Sequence, residues 1–308
     1  MPMLRITVTD GKARLHGATA PLSPTLRRAL AEDPGPVTVM VHGYKYLPGH
    51  PRHCPHDTIF ARAPSVTDPR VIGWPRHLGL RGQQGEGLGI SFGWNARGTI
   101  WDAHAEAAVA GEALAHLLAE IRRHAPAQPV NLVAHSLGAR VALTAIASGR
   151  PGAITRAVLL AAAEYAGVAQ DALTGASGRA TQVLNVTSRE NDLYDFLMER
   201  LVASDKPNDR MLGHGNPTLP NLVTLQLDDA ASLEALRDAG FPIAEPQRLV
   251  CHWSPYLRAG VFPLYTAFLS NTLPLGRLRA LLPEAGTPRW SRILPRLPLR
   301  APVGLPAE

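Results

Sequence analysis

Hydrophobic and polar positions alternate at Leu4, Ile6 and Val8, the pair Asp10-Gly11 follows, and Ala13 and Leu15 resume the alternation. Period-two runs on either side of a turn dipeptide predict a hairpin, placed here at a sheet edge. After the breaker Pro34-Gly35-Pro36, the unbroken run Val37–Val41 predicts a strand buried on both faces. Further short apolar runs predict strands at about Leu88–Phe92, Val130–Ala134, Ala157–Ala161, Gln182–Val186 and Val223–Leu227.

Helical spacing lies between these runs. Leu114, Leu117, Leu118 and Ile121 fall at i, i+3, i+4 and i+7 within a segment from about Asp102 to His124, and Pro126 ends it. Leu137, Val141 and Ala145 repeat the spacing over Leu137–Ala147, and Leu193, Phe196, Leu197 and Leu201 form one face over Asp192–Ala203. Ser232–Ala239 predicts a further helix, with Asp229 near its N-cap and Gly240 past its end. Strands alternating with helices imply right-handed crossovers and an open, mostly parallel sheet with helices on both faces. The N-terminal hairpin adds an antiparallel pair. The Pro/Gly/His-rich stretch 44–86 reads as a long loop placed to act as a lid.

Composition narrows the class. Of 308 residues, 45% are hydrophobic and 18% charged, enough to bury a sizeable core, which excludes a disordered chain, a coiled coil and a collagen-like array. We expect one α/β domain over 1–282 and a Pro/Arg-rich arm over 283–308 that lacks apolar periodicity. The net charge of +6 is spread along the chain without a run of five like charges, and aromatics make up only 6%, which argues against a nucleic-acid binder. Cys54 and Cys251 form at most one disulfide and read as two free thiols. Polar residues interrupt the N-terminus before any signal-length core, and the longest apolar stretch, Ala157–Ala163, is far short of a membrane span. The expectation is a cytoplasmic protein without a transmembrane segment.

The candidate chemistry centres on Val130-Asn131-Leu132-Val133-Ala134-His135-Ser136-Leu137-Gly138-Ala139-Arg140. A strand entering small-x-Ser-x-Gly and passing directly into a helix is a nucleophile elbow, with Ala134 in the place of the usual first glycine. The alternative for Ser136 is a helix cap. A serine hydroxyl needs a base and an acid to orient that base, and the elbow goes with the chain order Ser, acid, His. Asp192, at the end of the strand Gln182–Val186, is the candidate acid, with Asp195 and Glu190 as alternatives and a helix-start role as the plainer one. His252 is the candidate base because it follows the last strand, whereas His214 precedes it. The N–H groups of Leu137, just after the nucleophile, and of Tyr44, in the turn His42-Gly43-Tyr44, are the candidate oxyanion donors.

These residues together resemble the α/β-hydrolase superfamily over about Val37 to Ser270: the His42-Gly43 turn, the Ala134-His135-Ser136-Leu137-Gly138 elbow, and the later Asp192 and His252. Ser91-Phe92-Gly93-Trp94-Asn95-Ala96-Arg97-Gly98 resembles a Trp-containing strand-end motif of bacterial lipase-like and esterase-like hydrolases of unassigned substrate. The resemblance implies an α/β-hydrolase fold, a Ser136–His252–Asp192 triad, no cofactor, and hydrolysis of a carboxylic ester or related acyl compound, a small-molecule substrate that it does not name. Thioesters and amides use the same machinery. The competing reading is a silent binding protein of the same fold, docking anionic surfaces through Arg289, Arg292, Arg296 and Arg300. His50-Pro51-Arg52-His53-Cys54-Pro55-His56-Asp57 holds metal-ligand residue types in a spacing that matches no zinc finger, and reads instead as wall or lid. Trp74, Trp94, Trp101, Phe60 and Phe92 are candidates for an acyl pocket, with the ordinary core as the alternative.

Overall fold

The computed structural model describes residues 3–64, 68–215, 217–284 and 286–294. The chain runs β1 (Met3–Thr9), β2 (Lys12–Leu15), α1 (Leu22–Glu32), β3 (Val37–Val41), α2 (Trp74–His77), β4 (Leu88–Gly93), α3 (Ile100–His124), β5 (Val130–His135), α4 (Gly138–Ser148) and β6 (Arg156–Leu160). It continues through α5 (Ala166–Thr174), β7 (Gln182–Thr187), α6 (Asp192–Leu201), α7 (Leu212–Gly215), β8 (Leu222–Gln226), α8 (Ala230–Asp238), α9 (Ser254–Leu257), α10 (Val261–Leu269) and α11 (Leu275–Leu281).

The strands form one sheet in the order β2-β1-β4-β3-β5-β6-β7-β8, parallel throughout except for the antiparallel β1–β2 hairpin at the edge. Asp10 and Gly11 both take positive φ, 50° and 66°, as a tight hairpin turn requires. β3, β4 and β5 are buried at every position because both faces are covered. One face packs against α1, α3, α4 and α5 through residues such as Leu26, Leu114, Val141 and Leu173, and the other against α8, α10 and α11 through Leu233, Leu264 and Leu278. The chain visits β4 on one side of β3 and then β5 on the other, so the carboxyl ends of β3 and β5 flank a topological switch point, where ligands gather in such sheets.

The helix expected from about Asp102 begins at Ile100 because Thr99 and Asp102 form a capping box: Thr99 Oγ1 accepts the Asp102 N–H at 3.2 Å and the Asp102 carboxylate accepts the Thr99 N–H at 3.0 Å. The apolar face expected on α6 is turned outward. Leu193, Leu197 and Leu201 are 39%, 45% and 44% exposed, and the buried face is Asp192, Asp195 and Met198. Trp101, 56% exposed, donates its indole N–H to the Leu201 carbonyl and extends this stripe. The arm expected over 283–308 is described as far as residue 294. Its Arg289 pairs with Glu199 at 2.6 Å, whereas Arg296 and Arg300 lie outside the described residues. Among the described residues, no helix is long and apolar enough to cross a membrane.

Candidate active site

Ser136 stands at the end of β5 with φ 56°, a left-handed conformation that costs a residue with a β-carbon roughly 1–2 kcal/mol. Three backbone bonds hold the turn: the Ser136 N–H donates to the Leu160 carbonyl at 3.0 Å, and its carbonyl accepts from the Ala139 N–H at 2.9 Å and the Ala163 N–H at 3.1 Å. The Ser136 hydroxyl makes no hydrogen bond within the chain among the described residues. Two glycines let neighbouring segments close on this turn. A Cβ on Gly138 would lie 2.6 Å from the His42 carbonyl oxygen, and one on Gly43 would lie 2.6 Å from Ser136 Cβ.

The turn after β3 is pinned by the Trp94 motif. The Trp94 N–H donates to His42 Nε2 at 3.1 Å, so the ring proton sits on Nδ1 and donates to the Gly43 carbonyl at 2.9 Å. The Trp94 indole N–H donates to the His42 carbonyl at 3.0 Å, and the two rings stack with centroids 5.4 Å apart. Below this, Lys45 donates its N–H to the Ala96 carbonyl, Ala96 returns one to Tyr46, and the Tyr44 hydroxyl donates to the Gly98 carbonyl at 2.7 Å. Among the described residues, the N–H groups of Tyr44 and Leu137 have no backbone acceptor, which leaves both to a ligand.

Ser136 and His252 line one cavity of about 430 Å³ together with Tyr44, Tyr46, Leu197 and Trp253. This lies within the range of roughly 300–1,000 Å³ usual for small-molecule sites. The loop carrying His252 is tied at several points. The Cys251 N–H donates to the Glu190 carbonyl at 2.8 Å, and the Glu190 carboxylate pairs with Arg258, which also donates to the Leu227 carbonyl. His135 donates its Nε2–H to the His252 carbonyl at 3.1 Å, and the Tyr194 ring stacks on the His252 ring at 4.7 Å. Burial pushes the His252 pKa well below its usual value, with the neighbouring His135 adding to the shift, so the imidazole is neutral at pH 7.

The contact on His252 Nδ1 differs from the sequence expectation. The Asn191 side-chain oxygen stands 2.6 Å from that nitrogen, while the Asp192 carboxylate points the other way. Asp192 accepts the Trp290 N–H at 2.5 Å and lies 3.3 Å from His214 Nε2 and 3.6 Å from Arg189. Helix rotation explains the correction: successive residues are turned by about 100°, so Asn191 and Asp195, four apart, share a face that Asp192 does not. Of the alternatives, Asp195 accepts from the Asn191 amide at 2.9 Å, Glu190 is bound to Arg258, and His214 packs on the far side of the two aspartates. The sequence reading also passed over His135, whose only signal was its place inside the elbow.

The His50–Asp57 segment is a bracket. His56 Nδ1 pairs with Ser91 Oγ at 2.8 Å and Nε2 with Thr7 Oγ1 at 3.1 Å, joining β1 to β4, and Asp57 pairs with Arg5 at 3.0 Å. No group of three or more His, Cys, Asp or Glu arranged to hold a metal ion occurs among the described residues. Trp74, Trp94, Phe60 and Phe92 are core, and Trp101 is exposed.

Burial pushes His42 and His135 down to about 3 and about 4. Both are neutral when folded and take up protons near pH 6.5 when unfolded, so the unfolded chain binds more protons over this range. The stability they contribute is therefore complete above about pH 6.5 and is lost as pH falls towards 4. Two such groups give a slope of roughly 2–3 kcal/mol per pH unit. Urea midpoints should fall markedly from pH 6.5 to 5, and a flat profile would contradict the buried neutral rings.

The sheet order, the elbow and the switch-point cavity are those of the α/β-hydrolase fold, and two partial family matches support that superfamily assignment. The family described as "Alpha/beta hydrolase of unknown function (DUF900)" matches residues 23–150. The family described as "T6SS Tle3 phospholipase effector domain" matches residues 103–213. With the fold, these matches support a hydrolase, lipase-like in kind. Among solved structures, TT1662 from Thermus thermophilus is 14% identical, with 79% of this chain and 90% of that chain covered and a TM-score of 0.39. MenH from S. aureus is 9% identical, with 79% and 94% covered and a TM-score of 0.36. No curated protein matches the chain in sequence.

Proposed function

We propose that the chain is a serine hydrolase that cleaves carboxylic esters of apolar, lipid-like acyl groups. The observation that carries this reading is the strained Ser136 facing one cavity with a neutral His252 whose far nitrogen is already occupied. Ser136 Oγ attacks the acyl carbonyl as His252 Nε2 takes its proton. The Tyr44 and Leu137 N–H groups stabilise the oxyanion. Collapse breaks the bond to the alcohol oxygen, which takes the proton back from His252, and leaves an acyl-enzyme. Water, deprotonated by the same imidazole, then releases the acid and regenerates Ser136. Leu197, Leu201 and Met198 in the cavity wall, continuous with exposed Leu193, suit an apolar acyl chain. The match to a domain described as a phospholipase effector agrees with an ester of a lipid.

The test is fluorophosphonate labelling of the purified protein, with the modified peptide located by mass spectrometry, followed by a series of acyl esters of increasing chain length. Labelling at Ser136 and turnover of esters above matched thioesters and amides are expected. Folded protein that neither labels nor turns over any acyl compound would instead favour a silent binding scaffold.

A further inference from the structure

We infer that Asn191 and Asp195 are the positioning pair of His252, in which a neutral amide, held by a carboxylate one step further back, fixes which ring nitrogen carries the proton. This rests on the reading of Ser136 as nucleophile and His252 as base.

Arg189 lies 2.6 Å from His214 Nδ1, and a guanidinium only donates, so His214 accepts there and carries its proton on Nε2. That N–H faces Asp195 at 3.0 Å and Asp192 at 3.3 Å. Neither contact is a hydrogen bond, so the Asp195 carboxylate has His214 close to one of its oxygens and accepts the Asn191 amide N–H on the other at 2.9 Å. A carboxylate accepts only, so the Asn191 amide must present its nitrogen to Asp195 and its oxygen to His252. An amide oxygen accepts only, so at 2.6 Å the imidazole must donate from Nδ1. The lone pair on Nε2 is then left free to take a proton from Ser136. Asn191, Asp192 and Asp195 are all buried, so water does not compete with this chain of contacts. Among the described residues, the Asp192 carboxylate accepts the Trp290 N–H and makes no hydrogen bond to Asn191 or His252.

An amide in this place holds the tautomer but adds no negative charge beside the imidazolium formed in turnover. The titratable or charged groups around the His252 ring are His135 and Tyr194, which pack on it, the adjacent Cys251, and Tyr44, Lys45, Tyr46, Arg70 and Asp195 in the cavity wall. The one carboxylate among them, Asp195, is hydrogen-bonded to Asn191, whose amide oxygen and not a carboxylate meets Nδ1. Placing one directly on Nδ1 in Asn191→Asp should favour the protonated ring and move the acid limb of the kcat/KM profile to higher pH.

The decisive experiment measures fluorophosphonate labelling rate, kcat and KM across pH for Asn191→Ala, Asn191→Asp, Asp195→Ala and Asp192→Asn. It is paired with nitrogen-15 NMR of the His252 ring, which reports the tautomer without any substrate. Asn191→Ala and Asp195→Ala should lose on the order of 10²-fold in kcat with little change in KM. Both should shift the ring towards the Nε2–H form. Asn191→Asp should keep turnover within about tenfold and raise the acid limb, while Asp192→Asn should keep both rate and tautomer. A merely structural cluster would respond alike to Asp192→Asn and Asp195→Ala. A wild-type ring protonated on Nε2, or loss of rate in Asp192→Asn with none in Asn191→Ala, overturns the inference. Were the wild type unreactive towards every acyl probe, the function proposed above would fail, and the tautomer in wild type and variants would still decide this point.

Discussion

Replacing Ser136 with alanine should lower ester turnover by on the order of 10⁴-fold or more, while leaving the free energy of unfolding within about 0.5 kcal/mol of the parent. The two halves of this result have separate causes. The hydroxyl makes no bond to the rest of the chain among the described residues, so deleting it leaves no buried partner unsatisfied. The β-carbon that Gly43 packs against is kept, and alanine meets the same left-handed backbone penalty at φ 56° that serine does. On the proposed mechanism Ser136 is the only serine in the cavity wall, His252 is already assigned as base, and the Tyr44 hydroxyl is donated to the Gly98 carbonyl. The check is kcat on the best acyl ester alongside a urea midpoint. Retention of a tenth of the activity would rule out Ser136 as nucleophile. Ser136→Gly should lose turnover equally but unfold at a higher urea concentration, because glycine takes positive φ at no steric cost.

The parallel sheet was legible because strands covered on both faces are apolar over most of their length. Among the helices that the spacing does not predict, α5 and α1 show why. In α5 the buried residues are mostly alanines, Ala166, Ala169 and Ala172, whose small side chains give a weak periodic signal. In α1 only Leu26, Ala29 and Leu30 mark the buried face, and Pro24 in its first turn resembles a loop residue. The case of α6 is more instructive. Periodicity located the helix and then implied the wrong face, because Leu193, Leu197 and Leu201 make the stronger stripe while the buried face carries two aspartates. Those aspartates are acceptable inside because the Trp290 N–H and the Asn191 amide donate to them and Arg189 and His214 stand within ion-pair distance, and two of these four, His214 and Trp290, come from segments roughly 20 and 100 residues away, the other two from the preceding turn. Long-range partners leave no trace in local spacing. Chain order after β7 therefore points to Asp192, although the rotation of the chain at the helix start presents its neighbour, Asn191, to the imidazole.

Gly43→Ala should lower kcat by about 10²–10³-fold and destabilise the chain by roughly 1–3 kcal/mol. The added Cβ would stand 2.6 Å from Ser136 Cβ, 2.8 Å from the His135 carbonyl oxygen and 3.2 Å from Ser136 Oγ, so all three obstacles belong to the elbow. The elbow has little freedom to retreat, since the Ser136 N–H is bound to Leu160 and its carbonyl to Ala139 and Ala163. The turn carrying Gly43 has little more, being fastened through His42 to Trp94 and through Tyr44 and Lys45 to Gly98 and Ala96. Whichever side yields, the spacing between the Tyr44 N–H and the carbonyl attacked by Ser136 changes, and an oxyanion donor displaced by even a fraction of an ångström loses most of its effect. Tyr44→Phe isolates the cause. It removes the hydroxyl bond to Gly98 but keeps the backbone N–H, so it should cost far less in kcat than Gly43→Ala. A Gly43→Ala protein with kcat within threefold of the parent would show that the turn adapts and that its N–H is not an oxyanion donor. Equal losses in the two variants would instead assign the effect to general loosening of the turn.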